Sequence, residues 1–481
     1  MSSDPDVVVV GGGFAGLSAA VRLTQRGMRV LLVEARSRLG GRATSFSDRT
    51  TGEWVDNGQH VLLGCYTDTF SFLRTIGALN HVWLQTQLSV TMIDREGRSS
   101  HLVCPHLPAP WHLLAGVFEW DALAWPDRFS VLRMAKPLKL ARRQLDPSSH
   151  LIAASPGETV ENWLIRHGQT ERLREMLWRP LALAALNQRA DRAAAPALAR
   201  VLAEMFGLDS HAAAIALPTK PLHLMYAEPA RTFIESHGGE VRTAATARIQ
   251  VSENAVQSVE VTGDRLHPQA VVCAVPWFAF AEAFDGATDR LRGVIDRAAR
   301  MSSSPIVTAN LWFDRPILNE PFLGLPGRTM QWLFEKRLSL GNEASHLSLV
   351  SSGADSVARL SNDEVMAIAH QELVEAMPAV RSSRLLQSTL IREPHATFSL
   401  APGQPARPST ETAVRGLYLA GDWIETGLPA TIESAVRSGH RAADLVWRHK
   451  RHGAHEGIGH RVTEITNGLA TKSPSHRDSE I

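Results

Sequence analysis

Residues 7–42 read VVVVGGGFAGLSAAVRLTQRGMRVLLVEARSRLGGR, and this stretch decides the fold. Val7 to Val10 are β-branched and apolar, which suits a strand buried on both faces. Gly11, Gly13 and Gly16 follow at the G-x-G-x-x-G spacing, with Gly12, Phe14 and Ala15 between them. The first glycine allows a tight turn, the second lets backbone approach a pyrophosphate, and the third lets helix and strand pack closely. Ala15 to Gln25 predicts a helix whose N-terminus faces those glycines, so its free N–H groups and dipole suit a phosphate. Val30–Val33 predicts a second strand, ending in Glu34. That carboxylate lies 18 residues past Gly16, near the usual ~20, and suits ribose hydroxyls. Strand, glycines, helix, second strand and acid fall in register. An ordinary tight turn would not explain why Glu34 closes the unit.

The next residues qualify the nucleotide. Glu34-Ala35-Arg36-Ser37-Arg38-Leu39-Gly40-Gly41-Arg42 combines a glycine pair, which lets backbone lie against a cofactor, with arginines suited to phosphate. The segment resembles the flavin amine oxidase and carotenoid desaturase superfamily, in which it continues the FAD site beyond the ribose-binding acid. The resemblance implies FAD as cofactor. It also implies an α/β fold: a Rossmann-like, amine oxidase-like FAD-binding domain with an inserted mixed-sheet substrate domain and a helical subdomain.

The chain has 481 residues, enough for two or three domains. Its net charge of +1 gives no electrostatic case for nucleic acid. Cys65, Cys104 and Cys273 are odd in number, far apart and without metal-ligand spacing. They suggest reduced thiols and no metal. No apolar run reaches the ~18–20 residues of a membrane span. The first strand begins within ten residues of Met1 and must stay in place, so a cleaved signal peptide is not expected. The expectation is a cytoplasmic protein, at most peripheral at the inner face of the membrane.

Asp56-Asn57-Gly58-Gln59-His60 is polar and glycine-bearing, and is expected near the flavin ring. With Val61-Leu62-Leu63-Gly64-Cys65-Tyr66 it resembles the hydroxysqualene dehydroxylases. His60 is thereby a candidate proton donor; on its own it equally suits a structural histidine bonded to a nearby loop. Thr67–Ile76 predicts a helix. Ser89–Ile93 and Ser100–Val103 predict a hairpin about Asp94–Gly97. From Pro105 to about Leu217 the sequence turns helical and tryptophan-rich. Ser155-Pro156-Gly157-Glu158 predicts a helix start with Ser155 as N-cap. Leu181–Asn187 is apolar, and Asn187 suits either a pocket wall or a helix cap. Arg133, Lys136, Lys139, Arg142 and Arg143 surround Leu132, Met134, Leu138 and Leu140. That pattern suits a solvated face over a core stripe, or an anionic membrane surface; Pro137 is expected to interrupt the helix.

Leu222–Ser236 predicts a helix, and His237–Val241 the turn into a returning strand, with Val241 the candidate for a backbone pair to adenine. Ala270–Val275 predicts a buried strand. Pro305–Phe313, Thr329–Phe334 and His346–Ser351 predict sheet strands, and Asp363–Ala376 a helix. Leu417–Ala420 predicts a strand that ends at Gly421, Asp422 and Trp423. Thr431 and Ile432 open the last helix, whose positive end suits charge on a reduced flavin. This strand-Gly-Asp-helix element also resembles the superfamily, and Thr426–Glu433 the dehydroxylase branch. The expected layout is an FAD-binding domain over 1–85, 218–275 and 400–448. A substrate-binding domain covers 86–217 and 276–399, mainly helical across 105–217, and a disordered tail covers 449–481.

The dehydroxylase resemblance implies a reduction: hydroxysqualene loses water and reduced flavin gives hydride to the resulting carbocation. The substrate is then a polyisoprenoid lipid. Such a site needs a proton donor, a dry cavity and π-faces for positive charge, with His60 in the first role and Trp332 or Trp423 in the last. A carotenoid desaturase would share the frame but run oxidatively. An amine oxidase would usually present a paired-aromatic cage, for which the three tyrosines give little material. A flavoprotein scaffold without chemistry is a further alternative. Only one dinucleotide fingerprint is present, so an electron donor, whether a nicotinamide or a reductase, would act transiently.

Overall fold

Four consecutive valines need cover on both faces. In the computed structural model they lie at the centre of a five-stranded parallel sheet, in the order Glu240–Arg242, Val30–Val33, Val7–Val10, Ala270–Cys273 and Leu417–Leu419. The structure describes residues 4–146, 151–207, 209–252, 254–286, 289–341 and 345–469. Val7 pairs with Val30 on one side and Ala270 on the other. Alternation then divides the core: Val7 and Val9 pack with Leu17 and Leu23 of the first helix, Phe14–Thr24. Val8 and Val10 pack with Ile249, Val259 and Phe280 on the opposite face.

The ends of the chain meet on this sheet. The last helix, Ile432–Leu469, crosses the first so closely that a Cβ on Gly439 would lie 2.2 Å from the Ala15 carbonyl oxygen. Arg22 Nε donates to Asp444 Oδ1 at 2.8 Å across the same contact. The helix continues through Leu469, past the point where the tail was expected to lose structure; residues 470–481 lie outside the described residues.

A second sheet of seven strands is mixed, as anticipated. Its order is Leu385–Phe398, Ser303–Phe313, Ser345–Ser352, Trp332–Glu335, Phe322–Gly324, Ser89–Ile93 and Ser99–Val103. Its pairs are antiparallel except at Gly324 and Met92, where the expected hairpin joins the sheet in parallel. The 14-residue strand Leu385–Phe398 is long enough to carry Glu393, Ala396 and Thr397 back towards the parallel sheet.

Helices cover residues 111–143 and 160–205, broken by short turns. One local expectation needs correction here. Ser155 caps nothing: its carbonyl closes a turn on Glu158 N, and the helix Val160–Arg166 is capped by Thr159, whose hydroxyl accepts from Asn162 N. Pro156 cannot donate a backbone N–H, but nor is it the first helical residue. At Pro137 the expected interruption is present: the 3-10 turn Val131–Met134 just before it separates the helix Trp125–Ser130 from Ala135–Arg143. Pro137 itself sits in the first turn of Ala135–Arg143, where a missing N–H costs little.

Candidate active site

The strands of the parallel sheet deliver their C-terminal ends to a cavity of about 1260 Å³, at the crevice where α/β sheets bind ligands. Gly11, Gly12, Gly13, Phe14, Ala15, Glu34, Ala35, Arg36, Gly40, Gly41 and Arg42 line one end, together with Gly421, Asp422, Trp423, Thr431 and Ile432. Gly16 stands behind this wall, packed on the turn: a Cβ there would lie 1.9 Å from the Gly11 carbonyl oxygen. Among the described residues no side chain caps the N-terminus of the first helix, so its orphan N–H groups face the cavity as an anion site. Glu34 accepts from Gly12 N at 2.8 Å and from Arg36 N at 2.9 Å, which fixes the carboxylate between both loops. A Cβ on Gly41 would lie 3.2 Å from Gly13 Cα, so the two glycine loops face each other across the cradle. Arg42 binds Asp422 with both terminal nitrogens, one at 3.1 Å, and donates to the Ala396 carbonyl at 3.0 Å. One side chain thus ties together three distant stretches.

Behind the cradle lies a buried ion pair. Lys336 Nζ is 2.6 Å from Asp56 Oδ2 and 2.9 Å from Gln59 Oε1, and Ser45 donates its hydroxyl to Asp56 Oδ1. Burial pushes the Asp56 carboxyl up, but the Lys336 ammonium outweighs it and holds the group below the usual carboxylate range. Asn57 Nδ2 donates to the Arg42 carbonyl at 2.6 Å and reaches Glu393 Oε2 at 3.3 Å. His60 Nδ1 lies 2.9 Å from the Gly58 carbonyl oxygen, so Nδ1 carries the proton and Nε2 is left to act. Burial pushes the His60 imidazole below its ordinary value; the charges of Asp56 and Glu393 oppose this only in part. Gly58, Gln59, His60 and Glu393 all line the cavity.

Further out the wall becomes oily. Val90, Met92, Leu102, Leu113, Val117, Leu138, Leu177 and Leu181 line it. Trp332 stands on this wall with its indole Nε1 buried and without a hydrogen-bond partner among the described residues. Gln59 Nε2 is a second such orphan. Asn187 meets both of its expectations: it caps Arg179–Leu186 at φ 47° and lines the cavity, with its amide bonded to Ser304, Thr397 and Gly353. Across residues 14–447 the chain matches the family model "flavin containing amine oxidoreductase".

The chain belongs to that family. It is an FAD-dependent oxidoreductase. It is 31% identical over 448 residues to a hydroxysqualene dehydroxylase of Sinorhizobium fredii, covering 92% of this chain and 98% of that protein. It is also 24% identical to the 15-cis-phytoene desaturase of Solanum lycopersicum, over 92% of this chain and 77% of the relative. Among solved structures, cyclohexylamine oxidase from Brevibacterium oxydans shares the fold at a TM-score of 0.69 and 18% identity, over 93% of this chain and 100% of that one.

Within this flavin oxidoreductase two of the expected site residues are elsewhere. Val241 pairs with Leu32 inside the parallel sheet and packs against its core, off the cavity wall. The wall is reached later, at Ala245, Thr246, Ala247 and Arg248, because the chain must first leave the strand through Ala244 at φ 52°. Trp423 borders the cavity but offers no face to it. It is wholly buried, donates its indole N–H to the Val275 carbonyl at 3.0 Å and meets the Phe280 ring edge-on. It supports Gly421 from below and cannot stabilise a bound cation. Two residues escaped the sequence reading. Tyr226 stacks on Phe14 at 3.6 Å and places its hydroxyl 2.8 and 2.9 Å from the Gly40 and Ala43 carbonyls, which orders the glycine loop. The other is Lys336, whose signal, a lysine directly after an apolar strand, is visible only in hindsight.

Proposed function

We propose that this oxidoreductase reduces hydroxysqualene to squalene. The observation that carries the reading is the 31% identity to a hydroxysqualene dehydroxylase over 92% of this chain, joined to the apolar wall beside the cradle. Two further dehydroxylase relatives support the same choice.

The residues present fit FAD. The first helix N-terminus and Gly11–Ala15 would hold its pyrophosphate, Glu34 a ribose, and Gly40–Arg42 with Asp422 the linker. Ala247 and Arg248, rather than Val241, would border the adenine. Thr431 and Ile432 would place the positive end of the last helix at the flavin. Bound and reduced, FAD supplies the hydride that quenches an allylic cation.

The chain's own residues do the rest. The Trp332 ring borders the hydrocarbon chain and offers a π-face to developing positive charge. Protonated at Nε2, His60 gives its proton to the substrate hydroxyl oxygen, so the C–O bond breaks with water as leaving group. Its Nδ1 stays bonded to the Gly58 carbonyl throughout. The apolar wall keeps bulk water from recapturing the cation.

Trp332→Ala removes this part of the wall. Its expected effect is a roughly 10-fold rise in KM for the alcohol, from ~1–2 kcal/mol of lost apolar contact, with FAD content unchanged. An unaltered KM would remove Trp332 from the site. The His60 role has a pH signature. Because His60 titrates below 6.5, the proton-carrying form grows as pH falls, and the single-turnover rate rises towards acid with a midpoint below that value. His60→Gln is expected to flatten the profile. A rate that does not depend on pH in the parent protein would sink the assignment. The reading as a whole is tested by incubating dithionite-reduced holoprotein with hydroxysqualene in detergent and identifying the lipid by mass. Squalene is expected; unchanged alcohol beside persistently reduced flavin would overturn it. Bleaching of the oxidised flavin by phytoene would favour the desaturase reading that the 24% identical relatives support.

A further inference from the structure

We infer that the face formed by residues 111–143 is a docking surface for an anionic lipid bilayer, and that the chamber opens onto it. Large apolar side chains are ordinarily exposed one at a time. Here Trp111, Trp125 and Phe129 are 63%, 61% and 55% exposed on two neighbouring helices, Trp111–Glu119 and Trp125–Ser130. Trp125 and Phe129 lie 6.1 Å apart, ring to ring. Trp and Phe with this exposure suit the headgroup level of a bilayer, where an amphipathic ring is half solvated.

Charge complements the aromatics. Residues 125–143 carry six basic side chains (Arg128, Arg133, Lys136, Lys139, Arg142 and Arg143) against one acid, Asp127, a net of +5. Arg128 is occupied by the Phe118, Trp120 and Leu123 carbonyls, and Arg133 reaches the Gly168 carbonyl. Among the described residues, Lys136, Lys139, Arg142 and Arg143 have no ion-pair partner. Long cationic side chains of this kind lie along apolar surface and keep their heads at phosphate level.

The third observation is continuity with the chamber. Leu132, Ala135, Lys139 and Arg143 are exposed, and they also line the cavity. Their spacing of three, four and four residues puts them on one helical face, so the cavity meets solvent along that face. An apolar chamber whose mouth is framed by exposed rings and free cations is positioned to take a water-insoluble substrate directly from a leaflet. No helix among the described residues is long and apolar enough to cross a membrane, so the contact is peripheral. The inference rests on the proposed lipid substrate only for the direction of transfer.

The test uses FAD-loaded protein and vesicles without substrate, so its failure would leave the reductive reading, assayed in detergent, untouched. The protein is expected to sediment with phosphatidylcholine vesicles containing phosphatidylglycerol, less with phosphatidylcholine alone, and less again at high salt. Lys139→Gln/Arg143→Gln is expected to bind about 25-fold more weakly, at roughly fivefold per cation. Trp125→Ser/Phe129→Ser should lose the binding that remains at high salt. Retained flavin absorbance checks that each variant is folded. Absence of vesicle binding by the parent protein would overturn the inference, as would binding by both variants as tight as the parent's. So would a dimer in light scattering that Trp125→Ser/Phe129→Ser converts to monomer, since the face would then belong to a second copy.

Discussion

Lys336→Met is expected to destabilise the protein by about 3–5 kcal/mol, because it strands a carboxylate in the interior. Both side chains of the Lys336–Asp56 pair are only 5% exposed, so water cannot replace the ammonium. Without it, Asp56 keeps the Ser45 hydroxyl as partner but loses its compensating charge. The Asp56–His60 segment would also lose the Gln59 anchor, and with it the placement of His60. Removing both members of a buried pair is far milder than removing one. Asp56→Asn/Lys336→Met should therefore recover most of the loss, as read by urea midpoints at equal FAD occupancy. The pH dependence separates this cause from simple loss of packing. In the parent the folded Asp56 lies below its ordinary 3.8. Its contribution is present above that value and is lost as pH falls through the folded pKa. In Lys336→Met the cation is gone, burial dominates, and the folded pKa lies above 3.8. The penalty then grows as pH rises through the carboxylate range, so the variant's deficit should shrink as pH is lowered towards 4. A deficit that is constant with pH, or a double variant no better than the single one, would rule out the stranded charge.

That pair also shows where sequence reading ends. Lys336 and Asp56 are 280 residues apart, and nothing local marks them as partners. Residues 7–42 were legible because every requirement is local: the valines need a buried strand, the glycines a tight turn, and Glu34 closes the unit. Asp422 was legible for the same reason, at the end of a strand that leads into a helix, yet its pairing with Arg42 was not. Trp423 misled because composition places an aromatic near the cofactor but says nothing of which way the ring faces. In the structure its N–H is committed to Val275. Val241 misled by register: the turn after Gly238 and Gly239 is real, but the chain spends three residues in the sheet before it bends at Ala244 to reach the cavity. Ser155 misled because a serine before a proline resembles a cap until Thr159 is seen to hold the helix. Five strands of the seven-stranded sheet were legible, but Phe322–Gly324 and Leu385–Phe398 were not, and local pattern gives no order, which joins residues 89–103 to residues 303–398.

Gly16→Ala is expected to weaken FAD binding by at least about 100-fold, equivalent to ~3 kcal/mol, and to yield colourless protein. The added methyl would stand 1.9 Å from the Gly11 carbonyl oxygen, 3.0 Å from its carbon and 3.3 Å from Ala274 Cβ. None of these can give way cheaply. Gly11 N is bonded to the Val33 carbonyl at 2.8 Å, and Ala274 N to the Val10 carbonyl at 2.8 Å, so the sheet fixes the turn on both sides. Gly11 itself stands at φ 109°, a conformation open to glycine and strained for other residues. The helix must therefore back away from the strand, and its N-terminal N–H groups move off the position where the cradle would hold a pyrophosphate. Behind the helix there is no room to retreat, because Gly439 of the last helix already lies against Ala15 and Ser18. Gly157→Ala is the control: a Cβ there meets nothing within 4 Å, and colour and stability should be those of the parent. Far-ultraviolet circular dichroism of the apo forms distinguishes a folded chain with a spoiled cradle from one that does not fold. A folded Gly16→Ala protein that takes up FAD with the parent's affinity would show that the helix N-terminus is not what holds the cofactor.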